Sequence, residues 1–474
     1  MNLTEADILK ITSTYFRQRR VNAWAVGGYV RDRLLKRAFS KDIDIALPGD
    51  TLGHGKALAR LLKGTVVPLS KAFGITRIAL KSGITVDLSR LRGKNIETDL
   101  LKRDFTINAL AFPLSSPEEF IDPTGGRADL SKGIVRMVSK EAFSDDPVRL
   151  LRAFRFSSTL GFSIERTTIS AIKENAELLH SPASERIRDE FLKLLSSENP
   201  VPSLLAADSA GVLCGLFPEL AALKGVEQPG YHHLDVFEHT LEAVKQLQNI
   251  SLLSDFKIEK SARGFTLDRL RERRGQFEVL THLKFICLFH DIAKPETKTP
   301  GEDGGAHFYN HELLGAKTFS EIAKRLRLSN LETAAGMKVI KNHLRTGYLA
   351  GLKDISNRSV LRLLRETGEF TVEVLLLSWA DRLSALGPKI KKSDIEAQRK
   401  VISMLLNEHY RLSTKKPLPK LINGEAVMKK FKLKPSPELG KLLAAVKEGQ
   451  LLGKVATRKD AFDLIKGLIN KGAY

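Results

Sequence analysis

The sequence predicts an α+β protein: a small mixed-sheet head followed by an extended all-helical neck, body and tail. Between residues 21 and 90, short β-type runs alternate with helical ones. From about residue 141 onward, nearly every segment carries the 3.6-residue apolar period of an amphipathic helix. At 474 residues the chain is also too long for a single hydrophobic core.

The strand candidates are "VNAWAV", "DIDIAL", "GTVVPLS", "ITRIAL" and "ITVDLSR", with helices near 30–38 and 51–62. The head is assigned to 1–140, closing after the turn-rich "IDPTGGRADLSKG". A helical neck, 141–225, ends at "GVEQPGYHH". A helical metal-binding body, 226–395, comes next, and a helical tail, 396–474, contains the break "RLSTKKPLPK" at 411–420. The charged segment 254–276, with its basic "RLRERRG", reads as an exposed insertion.

Lys and Arg number 76 against 55 Asp and Glu, a formal net charge of +21. That surplus favours a polyanionic partner, nucleic acid first; the plainer reading is a soluble protein that is simply basic. Aromatics make up only 7% of residues, which points to phosphate contacts and shape rather than extensive base stacking. No apolar run approaches the roughly 20 residues of a membrane span, and the N-terminal stretch lacks the unbroken apolar core of a secretory signal. Cys214 and Cys287 lie in apolar settings and read as reduced core residues of a cytoplasmic protein. Nothing in the sequence calls for an obligate protein partner.

In "KDIDIAL", Asp42 and Asp44 share one face of a strand while Ile43 and Ile45 face the core. Paired carboxylates of this kind suit Mg²⁺ or Mn²⁺, and Asp87 in "ITVDLSR" is a candidate third acid. Taken alone, the pair reads equally as a solvated edge strand. The preceding "VGGYVRDRLL" adds weight to the metal reading. Gly27 and Gly28 let backbone approach a phosphate where a helix begins, and Arg31 and Asp32 follow in its first turn. Downstream, Asp146 precedes Pro147 as an N-cap would. Arg149, Arg152 and Arg155 recur every three residues near one helix face.

These blocks resemble, in order, the class II nucleotidyltransferase head and neck of the tRNA CCA-adding enzymes and bacterial poly(A) polymerases. The matching stretches are G-G-x-V-R-D with D-x-D, "LLKRDFTINALAF", "DPTGG", "DDPVRLLRAFRFSSTLGF" and "SPASERIRDEFLKLL". Lys102 stands where the family has Arg, and Asp145 where it has Glu. The resemblance implies that Asp42 and Asp44 hold metal and that Gly28, Arg31 and Arg103 meet the triphosphate. It implies that Asp104 and Asn108 hold the ribose, and that Asp146, Arg149 and Arg152 read the base. A carboxylate accepts from an exocyclic amine and a guanidinium donates to a ring acceptor, so such a reader selects ATP and CTP over UTP and GTP. The plainer alternatives are that Asp104 caps a helix with Asn108 on its solvated side, and that the arginines form a solvated stripe.

The order His239, His290–Asp291, His311, His343 and Asp381 resembles the HD phosphohydrolase superfamily. Imidazole and carboxylate ligands on helices suit a divalent metal of undetermined identity, with His311 and His343 completing a two-metal version. His232, His233 and His307 stay open; His54, His180, His282 and His409 read as ordinary. The expected activity is template-independent addition of C and/or A from CTP and ATP to the 3′ end of tRNA or another RNA, with a possible HD phosphohydrolase activity. Poly(A) polymerisation and split CC-only or A-only addition are the nearer alternatives. An HD phosphohydrolase with an RNA-binding head is the more distant one.

Overall fold

Six strands form one sheet: β1 (Trp24–Val26), β2 (Asp42–Leu47), β3 (Thr65–Ser70), β4 (Ile75–Ala79), β5 (Thr85–Arg90) and β6 (Ala111–Pro113). Their order is β3-β4-β5-β2-β1-β6. Only β2 and β5 run parallel, in a register that sets Asp44 beside Asp87. The other pairings are antiparallel, so the sheet is mixed as the sequence predicts. Ile43, Ile45, Val86 and Leu88 are fully buried on one face, which leaves the acids of β2 and β5 on the other. All five expected strands form. The sixth, β6, comes from within "FTINALAF", where three residues are too few to show a period.

This computed structural model describes residues 3–39, 41–70, 74–228, 230–250, 253–301, 305–415, 419–451 and 453–470. Part of the break predicted at 411–420, residues 416–418, lies outside them. The helix after the glycine pair is Gly28–Leu34, shorter than the 30–38 expected. It stops because Leu35 ends its hydrogen bonding and Lys36 turns to φ 52°, left-handed backbone that no α-helix continues. Thr51–Leu62 forms as predicted, capped by the Asp50 carboxylate, and buries Leu58 and Leu62.

The chain divides into two compact units, Met1–Ala222 with Arg325–Arg327, and Leu223–Lys324 with Leu328–Tyr474. In the first, the helix Val148–Leu160 packs Leu150, Leu151 and Phe154 inward, beside the helix Ser184–Leu195. In the second, Val236–Ile250 and Thr371–Ser384 lie side by side. The tail helices Gly424–Phe431, Pro437–Leu451 and Arg458–Asn470 enclose a small core of their own around Val427, Leu442 and Ile465. No helix among the described residues is long and apolar enough to cross a membrane.

Segment 254–276 corrects the reading as an exposed insertion. It contains the helix Lys260–Arg271, which buries Ala262, Thr266 and Leu270. Arg269 Nη2 and Arg274 Nη2 donate to Oε1 of Glu373, at 2.9 and 2.5 Å, and the Glu373 side chain is itself fully buried. A local stretch of basic residues thus owes its packing to one acid about a hundred positions away. Glu373→Ala would leave the buried Arg274 guanidinium without its counter-ion and Arg269 with Glu272 alone. We expect it to destabilise the fold by about 3–5 kcal/mol, read as a fall in the urea midpoint.

Candidate nucleotide and metal sites

The head site is a cavity of about 380 Å³ lined by Gly27, Gly28, Arg31, Asp44, Arg103 and the arginine helix Val148–Leu160. Gly27 sits at φ +70°, and a Cβ there would stand 3.0 Å from Arg103 Nη1 and 3.6 Å from Asp44 Oδ2. The missing side chain therefore leaves a gap between a cation and an acid. Burial, then the neighbouring Asp87 carboxylate, push the Asp44 pKa up to about 6 despite the opposing pull of Arg103. Asp42, more exposed, accepts a hydrogen bond from the Thr85 hydroxyl at 2.6 Å. Asp87, beside Asp44, is gripped by Arg77 through two bonds of 2.8 and 2.7 Å, so its carboxylate already has a cation.

A polar chain runs across this cavity from Arg31 to Arg152. Arg31 holds Asp32 through Nε and Nη2, and its Nη1 donates to Asn108 Oδ1 at 2.8 Å. Asn108 Nδ2 donates to Asp104 Oδ1 at 3.0 Å, and Asp104 Oδ2 pairs with Arg152 at 2.7 Å. Asp104 and Asn108 are both buried, which overturns the reading of Asn108 as solvated. Burial opposes the charge on Asp104, but Arg152, Asn108 and the Phe105 amide outweigh it and hold the pKa at about 2. Arg103 leans on Asp99 at 3.0 Å.

On the arginine helix, Arg149 donates to the carbonyls of Ala142 and Lys102, both at 3.1 Å. Arg155 pairs with Glu190 at 2.7 Å and covers the Phe156 ring at 3.9 Å. Burial brings its pKa down to about 10. The arginines are therefore no solvated stripe. Asp146 does not cap the helix with its side chain. Instead its Oδ2 accepts from Arg186 Nη2 at 2.7 Å, while Oδ1 is buried with no partner. Arg186 is a residue the sequence reading missed: it lies forty positions from Asp146, on another helix.

The second unit brings all six predicted HD residues together. His239, His290, Asp291 and Asp381 form one donor set, and Asp291, His311 and His343 another. Asp291 serves both: Oδ2 lies 3.4 and 3.2 Å from Nε2 of His239 and His290, and Oδ1 lies 3.2 Å from Nε2 of His311. The Nδ1 atoms of His290, His311 and His343 lie 2.8, 2.7 and 2.6 Å from the carbonyls of Cys287, Phe308 and Ile340. A proton on Nδ1 leaves each Nε2 with a lone pair directed at Asp291, the tautomer a metal ligand needs. Four histidine Nε2 atoms and Asp291 Oδ1 are buried without hydrogen-bond partners, and Asp291 Oδ2 meets the Lys294 ammonium at 2.7 Å. Such a cluster of ligand atoms fits bound cations.

Of the remaining histidines, His232 stacks edge-on against His239, and His233 accepts the Leu386 amide. His54 meets the Tyr15 hydroxyl, and His282 the Arg274 carbonyl. Lys294, also unforeseen, sits 2.7 Å from Asp291 Oδ2, four positions past His290 and so on the adjacent turn.

Residues 23–136 match the family model of the Poly A polymerase head domain, 161–224 that of the probable RNA and SrmB-binding site of polymerase A, and 236–386 the HD domain. The A-adding tRNA nucleotidyltransferase of Deinococcus radiodurans is 33% identical over 444 residues, spanning 92% of this chain and 93% of that protein. The chain belongs to the tRNA nucleotidyltransferase family. The CC-adding tRNA nucleotidyltransferase of Thermus thermophilus is 30% identical, over 93% of this chain and 92% of that one. The fold is shared with the Thermotoga maritima CCA-adding enzyme complexed with tRNA, at a TM-score of 0.60 and 22% identity, over 98% and 97% of the two chains.

In this nucleotidyltransferase the Asp104 ion pair has a pH signature. Its folded pKa of about 2 lies below the ordinary 3.8, so it stabilises the fold above about pH 4, and that contribution is lost as the pH falls through about 2. Asp104→Asn should show a shallower fall in urea midpoint between pH 4 and pH 2 than the wild-type chain.

Proposed function

We propose that the head adds C and/or A residues from CTP and ATP to tRNA 3′ ends without a nucleic-acid template. One observation supports this most: a single cavity is lined by Gly27, Asp44 and Arg103 together with Asp146, Arg149 and Arg152. Divalent ions, Mg²⁺ or Mn²⁺, held by Asp42 and Asp44 would activate the attacking 3′-hydroxyl and stabilise charge on departing pyrophosphate. Around that chemistry Arg103 and Arg31 hold the triphosphate. The seven-residue helix behind Gly28 is only two turns long, so the guanidiniums supply more of the field than its dipole. Asp104 and Asn108 hold the ribose. Asp146 Oδ1 accepts the exocyclic amine of A or C. Arg149, with only two of its five N–H donors used by carbonyls, donates to the ring acceptor beside it. Arg152 and Arg155 line the same wall.

The segments 1–140, 141–225, 226–395 and 396–474 then act as catalytic head, base-reading neck, HD body and RNA-holding tail. The net charge of +21 supports RNA binding, and two free cysteines fit work in the cytoplasm. Purified protein given tRNA ending in N, C or CC, with each labelled NTP singly, should incorporate CTP and/or ATP and leave UTP and GTP. Asp42→Ala and Asp44→Ala should each lower incorporation by about a hundredfold or more. Activity on RNA that persists in both variants would sink the reading, and equal use of all four NTPs would sink the base-reading argument.

A second activity is favoured by the orphaned donors of the body: metal-dependent hydrolysis of phosphoesters, with 2′,3′-cyclic or 2′-phosphates as first candidates. The metal content of dialysed protein tests the site. Because Asp291 belongs to both donor sets, Asp291→Ala should remove both metals, whereas His239→Ala or His311→Ala should remove one each. His290→Ala should abolish phosphate release and leave nucleotide addition intact.

A further inference from the structure

The HD donor sets open into a cavity of about 440 Å³ whose wall includes His311, Asp381, Lys294 and Arg382. Its mouth carries Tyr231, Tyr309 and Tyr348. These rings are 57, 67 and 65% exposed, the three highest values among large hydrophobic side chains of the described residues. Exposed aromatic rings cost hydrophobic free energy wherever they occur. Here the three most exposed ones, scattered over about 120 positions of sequence, converge on one opening. Tyr309 is further flattened against His307, with ring centroids 5.1 Å apart and planes 20° from parallel. That pairing makes a platform and leaves the tyrosine two-thirds exposed.

Beneath the rings both signs of charge meet: Lys294 and Arg382 beside the carboxylates Asp381 and Glu312. Lys294 Nζ, buried, points between Gln228 Oε1 and Asp291 Oδ2 at 2.5 and 2.7 Å. Arg382 spends its Nε on Gln398 at 2.6 Å, and its guanidinium lines the same wall. Two basic side chains beside a set of metal-ligand atoms suit a phosphate once a divalent ion is bound. A rim of flat rings suits a nucleobase, whose every face can stack. The volume suits a single nucleotide and is too small for a duplex.

We propose that Tyr309 and Tyr348, with Tyr231, form a base-stacking subsite over the HD site, so that it takes a nucleoside carrying a phosphate on its ribose. Only the release of phosphate after binding rests on the hydrolase reading; the subsite itself stands on the rim and the floor. The same chemistry is offered by a free nucleotide and by the last unpaired residue of an RNA chain.

The test is calorimetric titration of the full chain with Mn²⁺ present. The probes are uridine 2′-monophosphate, ribose 5-phosphate and a short oligouridine ending in a 2′-phosphate. Uridine is used because the base reader proposed for the head rejects it. Uridine 2′-monophosphate should bind at least about tenfold tighter than ribose 5-phosphate, and Tyr309→Ala and Tyr348→Ala should each erase about tenfold of that preference. Tyr309→Phe should keep it, since the ring remains. The oligouridine binding tighter than both the mononucleotide and the same oligouridine ending in a 3′-hydroxyl, with that gain lost in the tyrosine variants, would identify the RNA end as the source. Tighter binding of the mononucleotide would identify a free nucleotide; either supports the subsite. Uridine 2′-monophosphate binding no tighter than ribose 5-phosphate, or unchanged by both alanine variants, would overturn it. Ring-dependent binding with no phosphate released would leave the subsite standing and overturn the hydrolase reading alone. Because the rings are exposed, the substitutions should cost little stability, and unchanged nucleotide addition by the head checks that the chain is folded.

Discussion

A buried carboxylate, Asp104, joins the two halves of the nucleotide cavity, and the rest of the head site depends on how its charge is satisfied. It lies before β6 of the sheet, yet its Oδ2 pairs with Arg152 on the arginine helix Val148–Leu160. Its Oδ1 takes the Phe105 amide and the Asn108 side chain. Through Asn108 the same chain reaches Arg31 and the glycine pair. An unpaired buried acid would be costly, so the geometry that satisfies Asp104 also fixes how Arg31 and Arg152 stand across the cavity.

The body solves a different electrostatic problem. There four imidazole nitrogens and Asp291 Oδ1 face one another without hydrogen-bond partners, and Lys294 alone supplies a fixed cation, at Asp291 Oδ2. Backbone carbonyls hold three of the histidines from behind, so the rings cannot turn away to find other partners. In the head, arginines balance Asp87 and Asp104, while in the body a single ammonium, Lys294, stands against a cluster of histidine and aspartate ligand atoms.

Much of this was legible in the sequence because it rests on short-range periodicity. Alternation along "DIDIAL" put Asp42 and Asp44 on one face whatever the rest of the chain did. The three-residue spacing likewise kept Arg149, Arg152 and Arg155 along one helix face. Five of the six strands, the packed helices and the HD residue order were readable for the same reason. What local pattern could not show was partnership. The basic run near 269–275 looks like a solvated face until Glu373 arrives from a distant helix. Asp146 before Pro147 looks like a cap until Arg186 takes one of its oxygens.

The sequence alone thus determined the kinds of chemistry available: acids in a pair on a strand, arginines on a helix, and histidines with aspartates in a set order. Those come from residue type and from periods of two and 3.6, which any neighbouring fold must respect. Only the tertiary structure decided which charges are spent and which are free. Asp87 is spent on Arg77, and two donors of Arg149 on backbone carbonyls, while Asp146 Oδ1 and the HD nitrogens remain open. It also gathered three scattered tyrosines at one opening. The physical reason is that hydrogen bonds and ion pairs reach only about 3 Å, so partners distant in sequence are chosen by packing.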